Sequence, residues 1–152
     1  MGIIQHVDLE PMVGDPDDHR PETRWAIACD TETEGPCVRS MVCIVEQIAP
    51  GDRIPLHSHT TDELVLVDAG SGEYTLGEDR RQVTSGSIVF VPAGVPHSTV
   101  NVGAGTLDIH AVFPGPMLDI TYLERNSAPG TERQPPQPPL RFDPRAGTAW
   151  RG

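Results

Sequence analysis

The strongest constraint on the fold is the regular recurrence of turn residues between short apolar segments. The 152-residue chain contains 15 glycines and 16 prolines, and within residues 38–114 they separate β-prone stretches at 40–48, 64–67, 88–91 and 107–113. Turns at intervals of about eight to twelve residues, without a helical period of useful length, are typical of a sandwich or barrel. The sequence therefore predicts an all-β domain.

The same pattern divides the chain into three parts. Residues 1–24 are expected to form an N-terminal arm followed by an exposed loop, because residues 10–24 are rich in prolines and acids. Residues 25–125 contain the predicted strands, and 117–125 is either a short strand or one helical turn. Residues 126–152 are Pro-rich, so we expect an extended tail that is either mobile or laid across the domain surface.

Three potential metal ligands lie close together, at His57, His59 and Glu63. Successive side chains of a strand point to opposite faces, so His57 and His59 are expected to point the same way. The turn at 60–62 then leads to a strand with Glu63 at its entrance, so the three side chains can converge from two neighbouring strands. A third imidazole is expected further along the chain, and His97 is the candidate.

These residues belong to two longer motifs. The first has the spacing G-x5-H-x-H-x3-E-x6-G and comprises Gly51, His57, His59, Glu63 and Gly70. The second has the spacing G-x5-P-x-G-x2-H-x3-N and comprises Gly86, Pro92, Gly94, His97 and Asn101. Every position matches, and residues 38–114 thereby resemble the cupin superfamily. The resemblance implies a jelly-roll β-barrel with a metal held inside by His57, His59, Glu63 and His97.

The implied cofactor is one divalent transition metal ion. Imidazole and carboxylate ligands suit Fe, Mn, Ni, Cu or Zn. Four protein ligands fill a tetrahedral zinc but leave positions open on an octahedral ion, which favours a working site over a structural one. The ligand set resembles that of quercetin dioxygenases, so we expect a mononuclear-metal oxygenase acting on a small organic molecule. The alternatives are an isomerase, cyclase or lyase, and a non-catalytic module that binds a sugar or metabolite.

The sequence offers three candidates for acid–base chemistry. His110 lies in a predicted strand and acts as general acid or base if it points into the barrel. Tyr74 lies in a strand expected to border the pocket, and its hydroxyl needs a partner if it is buried. Glu46, in the segment 40–48, is the third candidate. His110 and Tyr74 are the residues that we predict to be catalytic.

The composition bears on partners and location. The formal net charge of -11 opposes binding to nucleic acid and to anionic membrane surfaces. The chain has no long apolar run, its first residues lack the basic start and apolar centre expected of a secretory signal, and its three cysteines lack disulfide or zinc spacing. We therefore expect a cytoplasmic protein with a small-molecule ligand. Because N-terminal arms of small cupins often pack on a partner subunit, the resemblance also implies a homodimer.

Overall fold

The computed structural model describes residues 2–152, and within them every regular element is a β-strand. In chain order the strands are β1 (Glu10–Met12), β2 (Arg20–Ala28), β3 (Met41–Ile48), β4 (Arg53–Ser58), β5 (Glu63–Ala69), β6 (Ser71–Leu76), β7 (Asp79–Thr84), β8 (Ile88–Val91), β9 (His97–Asn101), β10 (Leu107–Pro114), β11 (Leu118–Tyr122), β12 (Leu140–Asp143) and β13 (Thr148–Arg151). The all-β prediction is confirmed.

The strands form two antiparallel sheets that face each other as a jelly-roll barrel. One sheet has six strands in the order β1-β2-β3-β10-β5-β8, and the other has seven in the order β13-β12-β11-β4-β9-β6-β7. Sequence neighbours therefore often lie in opposite sheets, as β4 and β5 do. Within the seven-stranded sheet, β6 and β7 pair with each other as a hairpin.

The core follows from alternation along the central strands. In β10, Leu107, Ile109, Ala111 and Phe113 are buried, whereas the residues between them are partly exposed. The same alternation in β5 buries Val65 and Val67 in the same core. Burial of these aliphatic and aromatic side chains is the main favourable term that closes the two sheets on each other.

Asn101, the last residue of the second motif, has a structural role at the end of β9. The Nδ2 group of Asn101 donates hydrogen bonds to the backbone oxygens of Ile48 at 2.8 Å and Gly105 at 2.9 Å. Its Oδ1 accepts a hydrogen bond from the backbone N–H of Gly103 at 2.9 Å. Asn101 is 2% exposed, so this one side chain joins the end of β3 to the turn after β9.

The expectation of an exposed loop at residues 10–24 is wrong. This segment contains β1 and the start of β2, and β1 forms the edge of the six-stranded sheet, where Pro11 is tolerated. Asp17 and Asp18 are buried because each carboxylate is paired with an arginine, Asp17 with Arg125 and Asp18 with Arg20. Charges that suggested solvent exposure are neutralised inside the fold.

The C-terminal segment 126–152 lies against the barrel. Its β12 and β13 form a hairpin that extends the seven-stranded sheet through pairing of β12 with β11. Arg151 forms an ion pair with Asp15 at 3.0 Å, which ties the hairpin to the loop before β2. Of the two states expected for this tail, the structure shows the packed one, with strands in place of a purely extended chain.

Candidate metal centre and its cavity

The four predicted ligands lie at the ends of strands that meet inside the barrel. His57 is near the end of β4, His59 follows that strand, Glu63 begins β5 and His97 begins β9. His57 and His97 are direct partners in the pairing of β4 with β9. One ligand atom from each of the four residues lies within 4.8 Å of the other three, and all four side chains are buried. The structure thus brings the whole predicted set together, and we call these four residues the ligand cluster.

The route by which they converge differs from the expectation. We predicted that the imidazoles and the carboxylate would come from neighbouring strands, but β4 and β5 belong to opposite sheets. The turn at 60–62 therefore crosses from one sheet to the other. The Asp119 carboxylate holds this turn by accepting hydrogen bonds from the Thr60 backbone N–H at 2.9 Å and from the Thr60 hydroxyl at 2.7 Å.

Backbone carbonyl groups orient all three imidazole rings. The Nδ1 atom of His57 contacts the Pro55 oxygen at 2.7 Å, and that of His97 contacts the Val95 oxygen at 2.9 Å. The Nδ1 atom of His59 contacts the backbone oxygen of Asp119. A carbonyl oxygen only accepts, so each Nδ1 carries the proton and each Nε2 keeps a free lone pair. This arrangement is typical of metal-ligating histidines.

Two buried atoms at the centre indicate a cation. The Nε2 atom of His97 lies 2.8 Å from Oε2 of Glu63, yet within residues 2–152 neither atom has a hydrogen-bond partner. An unprotonated Nε2 and a carboxylate oxygen are both acceptors, so close approach is unfavourable without a positive charge between them. The donor set therefore fits a divalent metal ion.

Burial keeps the imidazoles of His57 and His59 in the form that binds metals. It lowers the pKa of His57 well below 6.5, and the neighbouring His97 and His59 lower it further. Burial also lowers the pKa of His59, although Glu63 opposes that shift. In neutral His57 and His59 no proton competes with a metal for Nε2, so these two rings can accept an ion near neutral pH without first losing a proton.

The four ligands lie on the wall of one cavity of about 420 Å³. Its surface is mainly apolar and includes the side chains of Trp25, Ile44, Ile54, Val65, Ile109, Leu118, Tyr122, Leu140 and Phe142. The two last residues come from the C-terminal hairpin, so the tail completes this wall. The volume suits a small organic molecule bound next to the metal ligands.

The two residues predicted to be catalytic lie in different places. Tyr74 is 4% exposed, lines the cavity, and lies nearly parallel to the His97 ring with the centroids 6.3 Å apart. His110 lies on the outer face of β10, where its side chain is 43% exposed and contacts Asp68. The prediction of a catalytic His110 required its side chain to point into the barrel, and the structure shows that it does not. The alternation of Leu107, Ile109 and Ala111 was the sequence signal for this orientation.

A buried charged cluster in the same cavity was only partly anticipated. Glu46 lies on the inner face of β3 and lines the cavity together with Asp18. Both carboxylates bind the guanidinium group of Arg20, which is 2% exposed. The charged pattern at residues 17–20 is just as typical of a solvated loop as of a buried ion pair. The sequence therefore did not reveal that Asp18 and Arg20 are buried.

Comparison with known proteins agrees with this description. Residues 44–113 match the family model described as Cupin domain. Dimethylsulfoniopropionate lyase DddW of Ruegeria pomeroyi is 29% identical over 96 residues, which are 62% of this chain and 62% of the lyase. Two further curated relatives, both uncharacterized proteins, are each matched over 54% of their length. The chain therefore spans less than two thirds of the length of each of these relatives.

Solved structures share the architecture. The polyketide cyclase RemF from Streptomyces resistomycificus superimposes with a TM-score of 0.61 and 25% identity, over 75% of this chain and 80% of that protein. An RmlC-like cupin from Shewanella frigidimarina superimposes with a TM-score of 0.57 and 15% identity, over 75% of this chain and 88% of its own.

The two sheets and the buried ligand cluster define a metal-binding β-barrel protein. Residues 44–113 therefore resemble a cupin domain, and the chain shares the jelly-roll fold of these structural neighbours. Residues 2–152 contain no helix of the length and apolarity that a membrane-spanning helix requires.

Proposed function

We propose that this protein is a metal-dependent enzyme that catalyses a non-oxidative reaction, of the lyase or cyclase type, on a small organic molecule. The observation that carries the proposal is the position of the Tyr74 hydroxyl group beside the ligand cluster in a mainly apolar cavity. The lyase from Ruegeria pomeroyi and the cyclase from Streptomyces resistomycificus support this reaction class.

The ligand cluster and the cavity have separate tasks in such a reaction. His57, His59, Glu63 and His97 hold the ion, which supplies Lewis-acid polarisation of a substrate carbonyl or carboxylate oxygen when bound. The apolar walls exclude water and strengthen each electrostatic contact with the substrate. Burial, together with the nearby Glu63, raises the pKa of Tyr74. The phenol therefore keeps its proton near neutral pH and can donate it to a substrate oxygen or to a leaving group.

The test is an oxygen-free screen of protein loaded separately with Fe(II), Mn(II), Ni(II) and Zn(II). The probes are dimethylsulfoniopropionate and a set of linear β-polyketones, followed by NMR in deuterated water to detect elimination, ring closure or exchange of carbon-bound hydrogen. We expect turnover with at least one metal and its loss in Tyr74→Phe at unchanged metal content. Binding of a probe without turnover under any condition would instead indicate a non-catalytic module.

The second candidate is a mononuclear-metal oxygenase. The observation that favours it is the ligand set itself, because three imidazoles and one carboxylate leave two positions on an octahedral ion for oxygen and substrate. An oxygen electrode separates the two candidates. Stoichiometric oxygen uptake by the Fe(II)- or Mn(II)-loaded protein with a flavonol or a β-diketone supports the oxygenase, and oxygen-independent product formation supports the lyase or cyclase.

The identity of the metal is measured on the same protein preparation. The donor set is compatible with Fe, Mn, Ni, Cu and Zn, and metal analysis of the protein as isolated distinguishes them. The homodimer and the cytoplasmic location stay predictions. Sedimentation velocity measures the first, and cell fractionation measures the second.

A further inference from the structure

Glu46 lines the cavity but has no role in the proposed function, which uses only the ligand cluster and Tyr74. It lies on the inner face of β3, between its strand partners Trp25 on β2 and Ile109 on β10. The residue is 6% exposed and lines the same cavity as the ligand cluster. A carboxylate inside a mainly apolar wall is unfavourable unless it is paired or protonated.

Its pairing is incomplete. Arg20 donates two hydrogen bonds of 2.7 Å to the Asp18 carboxylate, through Nε and Nη2. Its contacts with Glu46 are longer, 3.2 Å from Nη1 and 3.4 Å from Nη2. Charge-assisted hydrogen bonds of about 2.7–2.9 Å are strong, and those beyond about 3.2 Å are weaker. Arg20 therefore makes its shorter hydrogen bonds with Asp18 and its longer ones with Glu46.

The surroundings of Glu46 contain one cation for several acidic groups. The groups that act on it are Asp18 from the loop before β2, Arg20 from β2, Glu63 from β5 and Tyr122 from β11. One arginine balances only one of the two carboxylates that it contacts, so a proton on the other relieves the excess negative charge. Burial raises the pKa of Glu46, and Arg20 opposes this shift.

From this geometry we infer that Glu46 is a catalytic acid–base residue of the cavity, with Asp18 and Arg20 as its positioning residues. The inference rests on the proposed function. The Glu46 carboxylate takes a proton from a substrate carbon next to the polarised carbonyl or carboxylate group. The C–H bond breaks, its electron pair stays on the substrate and forms the new π bond or carbon–carbon bond, and the leaving group departs with its own bonding pair. The proton on Glu46 then passes to that leaving group or to water, so no oxidant or reductant is required.

A structural role alone predicts something different. Buried arginine–carboxylate groups often serve only to position a chain, and such groups stay ionised over the whole working range of pH. If Glu46 is a proton carrier, removal of the Asp18 charge frees Arg20 to pair with Glu46 and removes a repulsive neighbour. Both effects lower the pKa of Glu46, so Asp18→Asn must shift its titration to lower pH.

The first measurement needs no substrate. Infrared difference spectra of the metal-loaded and metal-free protein are recorded across a pH titration for the wild type, Glu46→Gln, Asp18→Asn and Glu124→Gln. The last variant is the matched control, because Glu124 is 48% exposed and pairs with Arg53 outside the cavity. We expect the wild type to show a protonated-carboxyl signal that persists above the pH range in which glutamate ordinarily ionises. This signal should be absent in Glu46→Gln, should disappear at a lower pH in Asp18→Asn and should be unchanged in Glu124→Gln.

The second measurement uses whichever oxygen-free probe the wild type converts. We expect Glu46→Gln to lose about 100-fold or more in kcat, as for a general acid or base, with unchanged metal content. The acid limb of the pH profile should move to lower pH in Asp18→Asn.

Several results overturn the inference. They are full turnover by Glu46→Gln, an infrared titration without a Glu46-dependent signal, and a pH profile that Asp18→Asn does not move. Full turnover by Glu46→Gln leaves the proposed function standing. A wild type that converts no probe refutes the proposed function together with the catalytic role of Glu46, whereas the infrared titration still decides whether this carboxyl group is protonated.

Discussion

Replacement of two ligands tests the metal centre most directly. His57 and His59 supply two of the four donors that lie within 4.8 Å of one another, and His57→Ala/His59→Ala leaves only Glu63 and His97. At a free metal concentration of 100 times Kd, binding to the folded state alone stabilises a protein by about 2.7 kcal/mol. For a domain of this size, about 2–4 °C per kcal/mol corresponds to a rise in Tm of about 5–11 °C.

The assay is calorimetry with and without added metal, together with metal analysis and circular dichroism. Each protein is compared with its own metal-free form, so that cavities left by alanine do not enter the comparison. The wild type should show the full rise, and the double variant should show almost none while it keeps its β-sheet spectrum and loses stoichiometric metal. His110→Ala is the matched control, because His110 lies outside the barrel with a side chain that is 43% exposed. An equal rise in the double variant, or its loss in His110→Ala, would refute the assignment.

Three further outcomes are expected. Tyr74→Phe should keep the metal and lose about 100-fold in turnover, and unchanged turnover would remove Tyr74 from the chemistry. Burial lowers the pKa of His57 and His59 from 6.5 in the folded state, so below about pH 6.5 the unfolded state binds more protons and stability falls with falling pH. Urea denaturation of the metal-free protein should show a loss of up to about 3 kcal/mol between about pH 8 and 5.5, and a much smaller loss in His57→Ala/His59→Ala; parallel pH dependences in the two proteins would contradict this account. Gly70→Ala should cost more than about 3 kcal/mol, because its φ is +86° and a Cβ would lie 2.3 Å from a backbone oxygen. Gly94→Ala, with φ +78° and open space around it, should cost only about 1–2 kcal/mol, and equal losses at the two glycines would show that the close backbone contact is unimportant.

The candidate metal centre was predictable partly from local strand geometry and partly from the resemblance of the two motifs to the cupin superfamily. Alternation along a strand places His57 and His59 on one face, and short turns place Glu63 and His97 at strand entrances. The prediction of neighbouring strands was wrong because alternation says nothing about which sheet a strand joins. Only the assembled barrel shows that β4 and β5 lie in opposite sheets.

The burial of the acidic residues before β2, in contrast, could not be predicted from local sequence. Asp17 and Asp18 suggested a solvated loop, because an isolated carboxylate is costly to bury. Asp17 pairs with Arg125, which is far away in the chain, and Asp18 makes a bidentate contact with Arg20. The fate of such charges depends on contacts that form only when the chain has folded, so composition alone cannot predict it.

The sequence by itself determined the strands from 41 to 114, the turns between them and the common face of His57 and His59, whereas the full set of four ligands came from the resemblance of the two motifs. The strands, the turns and this common face depend on backbone preference and on a period of two residues, which are properties of short segments. Tertiary structure decided that Glu46 shares Arg20 with Asp18 and that the C-terminal hairpin completes the cavity wall. Those outcomes depend on long-range pairing and on burial of charge, and the contacts that stabilise them form only when the barrel has folded.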